Sequence, residues 1–399
     1  MNKSKFNGDR LREARQLKML TITELAKKVN VTKQMISKYE HKLSVPGTET
    51  LFSLIKELNF PSEFFFGKDS FEIKSTGTFY RSRLTATKRE KKPSQLLLDY
   101  TVVIRDFLEK YIDFPVLKEF DNTELFSGQR DPAVVAKYLR KQWNLKNLPI
   151  PNIVDLLERR GFVISSISNL SKKVDAFSSP RWIKNNDAPQ KYYYPIVLEG
   201  TGYSFYRQQF SVAHELGHWA LHSNKVDPQE LDNVDYRKME QEANEFASEF
   251  LLPREEFEQD IKYAPKDIDL YLSLKNKWLV SISMMIVRAR DIGVLSQDDY
   301  VNMQRKISYK NWRKVEPFDV TKEISKPQAL KQSIELLVEN DILSPFEIKS
   351  DLAINYNILL PDEIIAEICG VDVKYLRPES NELINDSNIK VKKVDFGNI

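Results

Sequence analysis

A single cysteine, Cys369, stands in 399 residues, so the chain can form no disulfide within itself. That scarcity fits a reducing compartment, and Cys369 reads as a small buried hydrophobe. The first residues, MNKSKFNGDRLREARQ, lack the apolar run of a secretory signal, so export is not expected. The longest apolar stretch near a helix, Leu279 to Val287, is about half of the ~20 residues a bilayer span requires. No membrane association is expected, and a soluble cytoplasmic protein is. The sequence also lacks internal repeats, low-complexity segments and the heptads of a coiled coil.

What is present is globular usage, 41% hydrophobic and 29% charged, in a chain longer than one ordinary domain. The net charge of +3 conceals an asymmetry. Residues 1 to 60 hold 12 Lys and Arg against 6 Asp and Glu, leaving 48 against 51 for the remainder. The positive charge is placed at the N-terminus, as a part that meets a polyanion requires.

The patterning predicts a mainly α protein with a small β-sheet (α+β). Four helical segments fit residues 8 to 59, with Thr21 or Thr23 and then Thr32 as caps and a tight turn at Asn30 and Val31. Residues 1–67 form this all-α unit, and 68–95, polar and basic, read as a linker and a place for a hinge. Helical periodicity resumes from Leu96 to Phe120 and from Ala133 to Trp143, and Asn152 to Arg160 is a helix ended by Gly161. Phe162 to Ile167, Val174 to Phe177 and Tyr192 to Glu199 have strand composition. The polar run from Trp182 to Tyr192 reads as a loop. The remainder is mostly helical, giving a domain over 96–317 and a C-terminal helical region over 318–399 whose tail from Glu379 is loose.

The chemistry is concentrated in FSVAHELGHWALH, Phe210 to His222. His214 and His218, four residues apart, leave one face of a helix and can share an ion. Glu215 lies beside them, placed to take a proton from an attacking water. Of the 4 histidines in the chain, His214, His218 and His222 fall in this one apolar helix. Buried imidazoles need polar partners, and a metal supplies them. Gly217 costs about 1 kcal/mol against Ala inside a helix, which a close neighbour would explain. A catalytic zinc needs a third protein ligand. Leu221 and Asn224 stand where a metzincin has Gly and a third His, so that type is excluded. In Lys238 to Pro253 (KMEQEANEFASEFLLP), Met239, Glu242, Ala243, Phe246, Ala247, Phe250 and Leu251 share a face. Glu242 is therefore the expected third ligand, with Glu245 next in line. Glu240, Glu245 and Glu249 are expected to point toward water, and His222 to support the ligands or end the helix.

The runs RQQFSVAHELGHWALH and QEANEFASEFLLP resemble the ImmA/IrrE family of metallo-endopeptidases, whose known members cut helix-turn-helix repressors. The resemblance spans roughly residues 130 to 317, from PAVVAKYLRKQWNL to NWRKVEP. It implies a zincin-like peptidase domain with His214, His218 and Glu242 as metal ligands and Glu215 as base. It implies zinc, with manganese as the alternative metal. The N-terminal unit resembles the Xre/Cro-type helix-turn-helix, with Thr32 to Glu40 as recognition helix. Thr32, Lys33, Gln34, Ser37 and Lys38 then face double-stranded DNA. Lys33 and Gln34 suit base edges, and Lys38, Lys42 and Arg15 suit phosphates. His41 stands where the family commonly has Gly, which weakens the helix end. Such domains gain affinity by pairing, so a homodimer is expected.

Together these features imply an endopeptidase fused to a DNA-binding domain, cutting a repressor or an antitoxin-like regulator to control transcription. The alternative is a DNA-binding regulator whose metal site is structural or sensory.

Overall fold

The computed structural model describes residues 5–377 apart from 68–70, 81–87, 121–130, 169–174, 186–187, 224–226 and 229. The tail from Glu379 lies outside the described residues. The described residues are mainly helical with two small sheets. They begin with α1 (Gly8–Leu17), α2 (Ile22–Lys28), α3 (Lys33–Glu40) and α4 (Thr48–Leu58). Thr21 and Glu24 close a capping box on α2, and Thr32 Oγ1 accepts from the Met35 amide at 3.2 Å to start α3. Asn30, at φ 54°, turns the chain between these two helices. Past α3 the left-handed residue is Lys42, φ 62°, while His41 sits at φ −92°. His41 therefore carries none of the expected strain.

The stretch read as a linker contributes β1 (Phe71–Lys74), β2 (Phe79–Tyr80) and the start of α5 (Lys88–Leu108). α5 stops well before Phe120, and Pro115 disfavours helical backbone at Phe114. Next come α6 (Pro132–Gln142), α7 (Ile153–Glu158), β3 (Val163–Ile167), β4 (Ala176–Ser178), β5 (Arg181–Asn185), β6 (Lys191–Tyr193) and β7 (Pro195–Glu199). β5 and β6 are antiparallel partners built from the polar run read as a loop. Along β5 burial alternates, with Arg181 and Ile183 buried and Lys184 exposed. One sheet runs β1-β5-β6 and the other β2-β4-β7-β3, with β3 and β7 parallel and the other pairs antiparallel.

The described residues after β7 are mostly helical: α8 (Phe205–Leu221), α9 (Asn233–Leu251), α10 (Arg254–Ile261), α11 (Ile268–Trp278), α12 (Ile282–Asp291), α13 (Gln297–Tyr309), α14 (Ala329–Glu339), α15 (Pro345–Tyr356) and α16 (Asp362–Cys369). Among the described residues no helix is long and apolar enough to cross a membrane. Cys369 is buried, which pushes its thiol up to about 12.

The four-stranded sheet divides two apolar cores through its period of two. Val163, Ile167, Phe177 and Val197 face a core shared by α1–α5 and α14–α16. Ile164, Ala176, Ile196 and Leu198 face the core of α6–α13. The C-terminal helices thus share their interior with the N-terminal helices, and the histidine helix packs on the opposite side of the sheet.

Candidate functional site

α8 starts at Ser204, whose hydroxyl accepts from the Arg207 amide, and its apolar residues bury almost every face. α9 begins under an Asp232 cap, with the Val234 and Asp235 amides donating at 2.8 Å each. The two helices cross at Gly217. A Cβ there would lie 3.1 Å from the Ala243 carbonyl oxygen and 3.1 Å from Phe246 Cδ1, the close neighbour that its cost in a helix implied. This approach brings a second set of side chains to the histidines.

His214 and His218 point their Nε2 atoms at each other, 3.0 Å apart. Glu240 completes the group, Oε2 lying 3.4 Å from His214 Nε2 and Oε1 3.5 Å from His218 Nε2. One ligand atom from each residue falls within 4.8 Å of the others. Both imidazoles are held from behind. His214 Nδ1 lies 3.0 Å from Asn244 Oδ1, and His218 Nδ1 lies 3.1 Å from His222 Nδ1. His222 Nε2 in turn lies 3.1 Å from Glu242 Oε2. Burial lowers the His222 pKa to about 4, so its ring is neutral at pH 7. It donates from Nε2 to Glu242 and accepts at Nδ1 from His218.

These bonds fix the chemistry of the opposite edges. With both Nδ1–H groups directed outward, two Nε2 lone pairs and a carboxylate converge in a buried space, and a cation satisfies all three. Burial opposes ionisation of Glu240, but the two imidazoles outweigh it and hold the carboxyl below its usual range. The donor set fits a divalent ion such as zinc. Glu215 stands beside the group without joining it. Its Oε2 accepts from the Ser178 hydroxyl of β4 at 2.5 Å, and Ser178 Oγ lies 3.1 Å from the Tyr194 hydroxyl.

The third residue differs from the expectation, since Glu242 meets His222 and Glu240 meets the imidazole pair. Both glutamates flank the apolar stripe of α9, on opposite sides, so Glu240 reaches the imidazole pair while Glu242 reaches His222 at the end of α8. Glu245 is exposed, as expected. Glu249 is not: it is buried and paired with Arg288.

Several contributing residues escaped the sequence reading. Asn244 has a signal in hindsight, the four-residue spacing from Glu240 that puts both on one helix face. Ser178 and Phe79 have none, since each arrives from a strand paired at long range. The Phe79 ring lies 4.6 Å from the His218 ring at 17°, in a small cluster with Tyr236 and Met239. His214, Glu215 and His218 are 0% exposed.

At the other end of the molecule, α3 presents Lys33, Gln34 and Lys38 to solvent, with Thr32 exposed at its cap and Ser37 half-buried. Ile36 and Tyr39 anchor the opposite face. Arg15, expected at phosphate, is buried. It is bound to Glu40 by Nε–Oε1 at 2.5 Å and Nη2–Oε2 at 2.9 Å. Lys42 pairs with Asp9.

Comparison with known proteins divides the chain in the same way. Residues 179–290 match the family described as IrrE N-terminal-like domain, peptidase family M78. Residues 11–65 match the family described as helix-turn-helix. A curated relative, the HTH-type transcriptional regulator ImmR of Bacillus subtilis (strain 168), is 32% identical over 91 residues, which are 23% of this chain and 72% of that protein.

Proposed function

We infer that this chain, which belongs to the ImmA/IrrE family and joins a helix-turn-helix DNA-binding domain to a metallopeptidase-like domain, is a zinc-dependent endopeptidase that cuts a helix-turn-helix repressor or an antitoxin-like regulator in the cytoplasm. The observation that carries this reading is the convergence of His214 Nε2, His218 Nε2 and the Glu240 carboxylate beside, but apart from, Glu215.

In this reading His214, His218 and Glu240 hold the ion, and Glu240 replaces Glu242 in that role. Zinc there supplies Lewis acidity toward water and a peptide carbonyl. Glu215 accepts the proton of the attacking water and passes it to the departing amine, so the peptide bond is broken by addition of one water. Ser178 holds the Glu215 carboxylate in place for that transfer. Asn244, and the pair His222 and Glu242, fix the ligand rings. At the N-terminus Lys33 and Gln34 read base edges in duplex DNA, Lys38 contacts phosphate, and two copies pair on a two-fold site.

The complete burial of His214, Glu215 and His218 favours the other reading, a regulator whose ion serves structure or sensing. Glu215 weighs against it, because an ion that only holds a fold has no use for a base. Incubating the zinc-loaded protein with purified helix-turn-helix repressors and reading intact masses separates the two. The peptidase reading requires one defined cut that Glu215→Gln abolishes, and uncut repressors throughout would leave the regulator.

A further inference from the structure

An unpaired sheet edge binds extended peptides through its backbone and selects them through pockets for alternate side chains. β4 pairs with β7 on one side, and on the other it carries β2 in the register Phe79↔Ser178 and Tyr80↔Phe177. Ser178 is the residue whose hydroxyl holds Glu215. A backbone paired with Ser178 therefore runs past the carboxylate assigned as base, and its side chain reaches the metal ligands. Phe79 does so, stacking on His218 at 4.6 Å. Thr76 Oγ1 donates to the Ser223 carbonyl at 3.2 Å, and the Gly77 carbonyl accepts from Ser179 Oγ. Thr78 and Phe79 are 1% and 0% exposed.

We propose that residues 76–80 of the chain occupy, in the substrate's place, the edge of β4 along which an extended substrate lies, and that the subsite filled by Phe79 beside His218 takes an aromatic side chain. The proposal rests on the peptidase reading above. Its substrate is an extended segment with an aromatic residue following small ones, the chemistry of Thr76 to Phe79. The occupant is built to leave. β2 has two residues, and Thr78 Oγ1 is buried without a hydrogen-bond partner. Gly77, at φ 113°, is the point of adjustment, since a Cβ there would collide with the Asp227 carboxylate.

The test uses the full chain loaded with zinc. Phe79→Ala lifts the ring from His218, and Gly77→Ala displaces the segment without altering the site. In both variants, release of zinc to a chromophoric chelator is expected to run about tenfold faster than in the wild type, at equal zinc content. A labelled synthetic peptide with the sequence of residues 74–80 is expected to bind both variants and not the wild type. Equal release rates with no peptide binding by either variant would overturn the proposal, as would repressor cleavage by the wild type as fast as by the variants. Faster release and peptide binding with no cleavage by any form would instead sink the peptidase reading and leave the occupied edge standing.

Discussion

α3 and α8 each carry the residues to which a function of their domain is assigned above, and the fold treats them in opposite ways. α3 leaves Lys33, Gln34 and Lys38 in water and buries only the face that anchors it. α8 buries His214, Glu215 and His218 completely and surrounds them with Asn244, His222, Ser178 and Phe79. A polyanion is attracted by exposed charge at modest orientational cost, so the DNA face needs little support beyond an anchored helix. A metal with a base beside it needs ring edges fixed to fractions of an ångström, and support from other elements supplies that. Substitutions at the two imidazoles of α8 and at the side chains that hold them should therefore act through metal content, and those on the exposed face of α3 through DNA affinity alone.

The largest effect expected is at the imidazoles. His214→Ala together with His218→Ala should take the zinc content from about one per chain to near zero, measured by mass spectrometry of metals. Full occupancy in the double variant would remove the metal centre from α8. The two glutamates of α9 come next and should separate. Glu240→Gln, which removes a ligand charge, should weaken zinc binding by more than about 100-fold. Glu242→Gln, which acts only through His222 and His218, should weaken it by about 10-fold. Competition with a chelator of known affinity reads both, and the reverse order would restore Glu242 as ligand. In the N-terminal domain, Arg15→Ala should cost about 2 kcal/mol of stability, because the buried Glu40 keeps only its longer pair with Arg12 at 3.5 Å. Lys38→Ala should change stability by less than about 0.5 kcal/mol while reducing the salt slope of DNA binding by about 1. A loss of DNA affinity in Arg15→Ala without any loss of stability would return that residue to the phosphate backbone.

The same contrast governs what could be read from the sequence. His214, Glu215 and His218, and the Thr32 cap before α3, are set by spacing along one helix, so the sequence alone placed them. The carboxylate that meets the imidazole pair lies on a second helix, and whether Glu240 or Glu242 takes that place depends on a close approach at Gly217 that one sequence does not disclose. Arg15 looked suited to phosphate because its partner Glu40 lies 25 residues away. The hairpin of β5 and β6 was hidden by its polar composition, because the burial alternation of β5 rests on a buried Arg181 that no hydrophobic pattern reveals. β2 was hidden more deeply, because two residues in a basic stretch carry no strand signal and gain their place only by pairing with β4.

If α8 carries a hydrolytic base beside a metal that this base does not bind, Glu215→Gln separates the two roles. The variant keeps the volume of the side chain and should retain about one zinc per chain, since Glu215 is not a ligand. Its rate of repressor cleavage should fall by about 10²–10⁴-fold, because an amide cannot accept the proton from water. Zinc content and cleavage measured on one preparation decide the matter: retained zinc with lost cleavage is the predicted result, and cleavage at the wild-type rate with zinc in place would contradict it.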